Sequence, residues 1–130
     1  FTIIKSKDQA NSCLIFEGFM DYLSYMTLQK QGKGILTLSD DKSVGVSDII
    51  ILNSVTNLQK AKSLLTSYGH IVCLFDNDRA GWTAYAELSK ELGYKVKDGA
   101  RAYPKYKDIN DLLCDKPIII QQQKGKGKGL

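Results

Sequence analysis

Paired cysteines, histidine and long apolar runs are all scarce in this chain, and each scarcity closes off a class of function. The three cysteines, Cys13, Cys73 and Cys114, lie far apart with no Cys-x-x-Cys pair, and His70 is the only histidine. A closed zinc site needs four Cys or His ligands, usually in close pairs, so none is expected. Scattered cysteines in odd number predict reduced, buried thiols. His70 has no serine or cysteine partner at a recognisable spacing, which makes it a structural or surface residue rather than a catalytic base. The longest apolar stretches, such as Ile49-Ile50-Ile51-Leu52, are strand-sized and far short of a bilayer span. No basic-then-apolar leader opens the chain. A cytoplasmic location with no membrane partner is the expectation. The first residue is Phe1 rather than Met, which predicts a fragment of a longer protein.

An excess of one charge is also missing. The formal charge is +4, from 18 basic and 14 acidic residues, but Lys124, Lys126 and Lys128 sit in the terminal Lys-Gly run. Removing those three lowers it from +4 to about +1. The body is nearly neutral, so bulk charge does not name a partner. What is present is an ordinary globular composition, 43% apolar and 25% charged over 130 residues. That is one domain, large enough to bury roughly two-thirds of its unfolded surface.

Apolar runs and punctuation predict alternating strands and helices. Strands are expected at Ser12–Phe16, Asp48–Leu52 and His70–Phe75, with a fourth beginning near Tyr94–Val96. Helices are expected over Met20–Gln31, Leu58–Tyr68 (capped by Asn57) and Arg79–Leu92, with a short one opened by Asp108 and running through Leu113. Lys33–Ser47 reads mostly as loop apart from Ile35–Leu38, and Pro117–Gln123 as a possible further helix. The Gly/Lys tail, 124–130, has no apolar content and is expected to lack fixed structure. Continuous rather than alternating apolar strands argue for an α/β domain, residues 1–123 with a core of about 12–114, built on a mainly parallel sheet of about four strands flanked by helices.

In such sheets ligands bind beyond the carboxyl ends of the strands, and polar residues cluster there. Glu17 follows the first of these strands, Asn53 and Ser54 the second, and Asp76 and Asp78 the third. Two carboxylates at a spacing of two, on an extended backbone, share a side and repel; a divalent cation removes that penalty. Oxygen ligands of this kind suit Mg2+ or Mn2+, which keep waters and add substrate phosphates. The same pair also suits an acidic turn and a helix N-cap. Asp21, one helical turn from Glu17, could point into the same cleft. Asp108, Asn110 and Asp111 form a third acidic cluster, preceded by Lys105 and Lys107, and equally suit a capped helix start.

Phe16-Glu17-Gly18-Phe19-Met20-Asp21, Leu74-Phe75-Asp76-Asn77-Asp78-Arg79-Ala80-Gly81 and Lys107-Asp108-Ile109-Asn110-Asp111-Leu112-Leu113 together resemble the Toprim domain. The version resembled is that of bacterial DnaG-type primases and of primase-like proteins on mobile elements. The resemblance spans about residues 12–114 and implies a Toprim, Rossmann-like fold. It implies metal-dependent nucleotidyl transfer in DNA replication, the synthesis of RNA primers, with Glu17 as the catalytic acid/base or metal ligand. Asp76 and Asp78 would be the metal pair and Asp21 and Asp108 further metal contacts. Lys105, Lys107, Arg79 and Arg101 would face nucleic acid or nucleotide. The implied cofactor is Mg2+ or Mn2+. The implied partners are a single-stranded DNA template, nucleotides, a zinc-binding module and basic subdomain elsewhere in the full protein, and a helicase; the implied setting is bacterial cytoplasm.

The chain departs from the family pattern at Val55, where glycine is usual, and at Asn110, where a second aspartate is frequent. The amide binds a cation more weakly, so a peripheral metal site is expected to be weakened. A Toprim nuclease and a non-catalytic DNA- or replication-protein-binding module are the alternative readings. Among the aromatics, Tyr22, Tyr25, Tyr85 and Trp82 are expected to pack in the interior, and Tyr103 and Tyr106 to be exposed.

Overall fold

The computed structural model describes residues 1–33 and 47–119. Among these, five strands form one sheet: β1 (Thr2–Ile4), β2 (Ser12–Phe16), β3 (Ser47–Ile51), β4 (His70–Leu74) and β5 (Val96–Asp98), in the order β1-β3-β2-β4-β5. The four strands from β3 to β5 in that order run parallel, and β1 pairs antiparallel with the outer edge of β3. The helices are α1 (Phe19–Lys30), α2 (Leu58–Leu65), α3 (Arg79–Leu92) and α4 (Ile109–Leu113).

The central strand β2 is buried along its whole length, which is why Ser-Cys-Leu-Ile-Phe reads as a continuous run: both of its faces are covered. Alternation along the strands sorts the side chains between two cores. Cys13, Ile15, Ile50, Ile71 and Cys73 pack beneath α2 and α3, against Leu58, Ala61, Leu65, Ala84 and Leu88. Leu14, Phe16, Ile51, Val72 and Leu74 face the other way, toward Tyr25 and Leu28 of α1, Tyr103 and Ile109. Each fully buried Leu, Ile or Phe contributes on the order of 1.5–3 kcal/mol.

A buried carboxylate anchors the opposite end of the sheet from the strand C-termini. Asp48, only 3% exposed, accepts hydrogen bonds from the Tyr68 hydroxyl (2.6 Å), the Ser6 N–H (2.8 Å) and Lys5 Nζ (3.3 Å). Burial pushes its carboxyl up, but these three donors outweigh that and hold it below the usual carboxylate range. The contacts tie the segment after β1 to the sheet and account for an edge strand with almost no local signal.

Several expectations change. The sheet has five strands, because three-residue β1 owes its existence to pairing with β3. α2 stops at Leu65, leaving Tyr68 in the turn where Asp48 recruits its hydroxyl. Asn57 does not cap α2; its Nδ2 donates to the Leu52 carbonyl at 2.7 Å. Gly93–Lys95 is a 3-10 turn, and the last strand starts at Val96. Trp82 is 58% exposed, whereas Tyr103 is 1% exposed and Tyr106 half-buried. Cys13 and Cys73 are buried free thiols, but Cys114 is exposed. Residues 117–119 are not helical; the remainder of the Pro117–Gln123 segment, the Ile35–Leu38 stretch and the 124–130 tail lie outside the described residues.

Candidate metal centre

The acidic residues meet where β2 and β4 end. Glu17 follows β2 directly and its Oε2 accepts the Asp76 N–H at 2.6 Å. This bond ties the ends of two neighbouring parallel strands together. Asp21 sits in the first turn of α1, on the buried side of that helix, and is 8% exposed. Asp76 lies two residues beyond β4. Asp108 precedes α4 and its Oδ1 caps that helix by accepting the Asp111 N–H at 2.7 Å. Because α4 packs on α1, Asp108 is delivered beside Asp21. Asp21, Asp76 and Asp108 each offer a carboxylate oxygen, and these atoms all lie within 4.8 Å of one another.

Asp76 Oδ1 is buried and has no hydrogen-bond partner. An orphaned buried carboxylate oxygen costs several kcal/mol in the general case unless something positive satisfies it. The electrostatics agree. Burial, then the charges of Asp108 and Asp76, push Asp21 up to about 7. Burial, reinforced by Asp76 and Asp78, pushes Glu17 up to about 8. Burial also raises Asp76, a tendency that the Lys107 ammonium opposes. An all-oxygen, hard, negatively crowded donor set of this kind fits Mg2+ or Mn2+.

Asp78 is not one of the three converging carboxylates. The chain turns into α3 at this residue, and its Oδ1 accepts the Gly81 N–H at 2.9 Å as the N-cap. The Asp-x-Asp pair thus divides its work, with Asp76 in the triad and Asp78 holding the helix that follows. Gly81 is obligatory for closeness: a Cβ there would stand 2.1 Å from the Asp76 carbonyl oxygen. Arg79 is the exposed first residue of α3. Lys105, Lys107 and Arg101 are exposed on the segment between β5 and α4.

Three supporting residues escaped the sequence reading. Asn77 donates its backbone N–H to the Lys107 carbonyl at 2.6 Å and its Nδ2 to the carbonyls of Tyr103 (2.9 Å) and Tyr106 (2.8 Å). It straps the segment carrying Lys105, Lys107 and Asp108 onto the end of β4. The buried Tyr103 hydroxyl donates to the Phe75 carbonyl at 2.8 Å, one residue before Asp76. Ser24 Oγ donates to Asn110 Oδ1 at 3.1 Å, and the Asn110 N–H reaches Asp21 Oδ1 at 3.4 Å. Only Asn77 carried a sequence signal, its place between two aspartates; the others act through contacts 28 and 86 residues apart.

A family profile described as Toprim-like matches residues 14–113. The chain belongs to the Toprim-like family. The Toprim-like fold is also that of the crystal structure of the primase fragment of the bacteriophage T7 primase-helicase protein, with a TM-score of 0.52 and 22% identity. The match covers 81% of this chain and 40% of the phage chain, so this Toprim-like chain spans less than half of that fragment. No curated protein sequence matches it. Among the described residues no helix is long and apolar enough to cross a membrane.

Proposed function

We propose that this Toprim-like domain is the catalytic centre of a primase-like protein and performs divalent-metal-dependent nucleotidyl transfer, with single-stranded DNA as template and nucleotides as substrates. The observation that carries the reading is the convergence of Asp21, Asp76 and Asp108 around the unpartnered Asp76 Oδ1, with Glu17 bonded to the same residue's N–H. Asp21, Asp76 and Asp108 would hold the cation. A bound Mg2+ or Mn2+ supplies charge stabilisation for a phosphoryl group and its pyrophosphate leaving group.

The protein's own residues then have defined tasks. Glu17, whose carboxyl burial pushes up to about 8, would accept a proton from the attacking hydroxyl when ionised. The Asp76 N–H bond holds its carboxyl at the strand ends. Lys107, whose charge already reaches Asp76, and the exposed Lys105, Arg79 and Arg101 supply positive charge for the nucleic-acid backbone. Asn77 and Tyr103 keep Asp76 and the lysine-bearing segment in fixed relation.

The test is primer synthesis from ribonucleotides on a single-stranded template by the full-length protein with Mg2+ or Mn2+. Glu17→Gln and Asp76→Asn are each expected to lower the rate at least about 100-fold, the scale of removing one acid/base or electrostatic group. Metal-dependent cleavage without synthesis would assign the centre to phosphodiester hydrolysis instead. Activity untouched by both substitutions would refute a catalytic role.

A further inference from the structure

On the α2–α3 face, beside the metal centre, a groove of about 570 Å³ runs between the two helices. Its walls are the two segments that leave the C-terminal ends of β3 and β4. Val55, Thr56 and Leu58 come from the first, and Arg79, Ala80 and Thr83 from the second. We propose that this groove holds the base of a nucleotide whose phosphates lie at the carboxylate triad; this rests on the nucleotidyl-transfer reading above.

Position favours this occupant. Glu17 directly follows β2, at the same C-terminal edge of the sheet from which the groove's walls leave β3 and β4. Glu17 therefore stands at the groove's end of the sheet, while Asp21, Asp76 and Asp108 converge on the α1–α4 side. Arg79 directly follows Asp78, whose charge reaches Glu17 and Asp76, and Gly81 abuts the Asp76 backbone, so the Arg79 end of the groove shares the C-terminal edge of the sheet with the acidic site. From Arg79 to Glu87 the wall is about 12 Å long at 1.5 Å per residue, room for a sugar and base leading away from the phosphates. A volume of 570 Å³ falls within the range of small-molecule clefts.

Chemistry favours it as well. Val55, Leu58, Ala80 and Ala84 give an apolar floor for a ring face, and Thr56 and Thr83 offer hydroxyls for base edges. The cation at the mouth, Arg79, suits a phosphate. The acid at the far end, Glu87, is already engaged: Lys62 and Gln59 both lie 3.5 Å from its Oε2. A phosphate chain is thus attracted to one end, and the other end presents no free carboxylate. Small side chains at 80, 83 and 84 keep the groove open.

The experiment measures Mn2+-dependent binding of ATP and of inorganic tripolyphosphate to the full chain. The comparison set is the parent, Ala80→Phe, which fills the groove from an exposed position, and Ala86→Phe, a control on the outer face of α3. The parent should bind ATP at least about tenfold more tightly than tripolyphosphate, the effect of moving part of one ring face out of water. Ala80→Phe should erase that preference and leave tripolyphosphate binding unchanged, and Ala86→Phe should keep it. Thr83→Leu serves the same purpose should Ala80→Phe not fold, as judged by circular dichroism. Metal-dependent tripolyphosphate binding with no preference for ATP, or a preference that survives both filling variants, overturns the groove and leaves the metal centre standing. Failure of both ligands to bind with Mn2+ overturns the groove and the metal-dependent reading together.

Discussion

Replacing Gly81 by alanine sets two effects of opposite sign against each other at the centre of the site. In an exposed helix interior the change would stabilise by about 0.5–1 kcal/mol, because glycine surrenders more backbone freedom on folding. Gly81 is buried in the first turn of α3, and a Cβ there would meet the Asp76 carbonyl oxygen at 2.1 Å and its carbonyl carbon and nitrogen at 3.1 and 3.2 Å. The obstacle is backbone, so no rotamer change relieves it. That backbone is held on both sides, by Glu17 on the Asp76 N–H and by Tyr103 on the Phe75 carbonyl. Forcing a methyl into a packed interior costs about 1–3 kcal/mol. After the propensity gain, the net loss is on the order of 1–2 kcal/mol, or roughly 3–10 °C in melting temperature for a domain of this size. Urea denaturation in chelator gives the free energy, and Ala86→Gly, expected to lose about 1 kcal/mol at an exposed position of the same helix, calibrates the propensity term. Relief of the clash moves Asp76, so Mn2+ affinity should fall as well. A Gly81→Ala protein as stable as its parent, or more so, would refute the close approach of α3 to Asp76 and with it the packing that aims the triad.

Asp48→Asn should cost about 1–3 kcal/mol at pH 7, because the buried Tyr68 hydroxyl and Ser6 N–H lose a charged acceptor. Asp48 is depressed in the fold, so its contribution is complete above its unfolded value near 4 and disappears as pH falls through the folded value. Denaturation at pH 7 and pH 3 should show the gap between parent and variant narrowing in acid, and a constant or widening gap would count against the anchor. The carboxylate cluster has the opposite sign. Glu17 and Asp21 are raised to about 8 and about 7, so the stability tied to their protonation is complete below about pH 4. It is lost as pH rises to 7–8. In chelator the protein should lose a few kcal/mol between pH 5 and 8, and saturating Mn2+ should flatten that slope. A metal-free protein that grows more stable across this window would contradict the crowding of the carboxylates.

The parts of the molecule legible in the sequence are those whose cause is local. Ser12–Phe16, Asp48–Leu52 and His70–Phe75 announce themselves because strands buried on both faces cannot alternate, and the structure keeps each to within a residue. Arg79–Leu92 is bounded by its own cap, Asp78, and by Gly93 at φ +73°. β1 was not legible, since three residues, two of them exposed, become a strand only when β3 is present to pair with them. The burial of Tyr103 and exposure of Trp82 were reversed for a related reason: aromatic identity does not say which side of a turn or helix meets the sheet. Tyr103 is drawn inward by the Phe75 carbonyl, and Trp82 sits on the shoulder of α3 opposite Gly81 and Ala84, the residues that touch the strands.

Asn110 shows how the site itself divides between pattern and geometry. As a ligand type it is a weaker cation donor than the aspartate frequent there, and the pattern alone ends at that loss. In the fold its carbonyl accepts from Ser24 and its N–H approaches Asp21, so it joins α4 to α1 at the point where Asp108 is placed beside Asp21. A carboxylate at this position would bring another negative charge next to Asp21, which burial and then the charges of Asp108 and Asp76 already lift to about 7. The amide avoids that repulsion and keeps the acceptor that Ser24 needs. The same substitution that removes a candidate ligand therefore serves the assembly of the three that remain, and the trade is visible only once contacts 86 and 89 residues apart are in view.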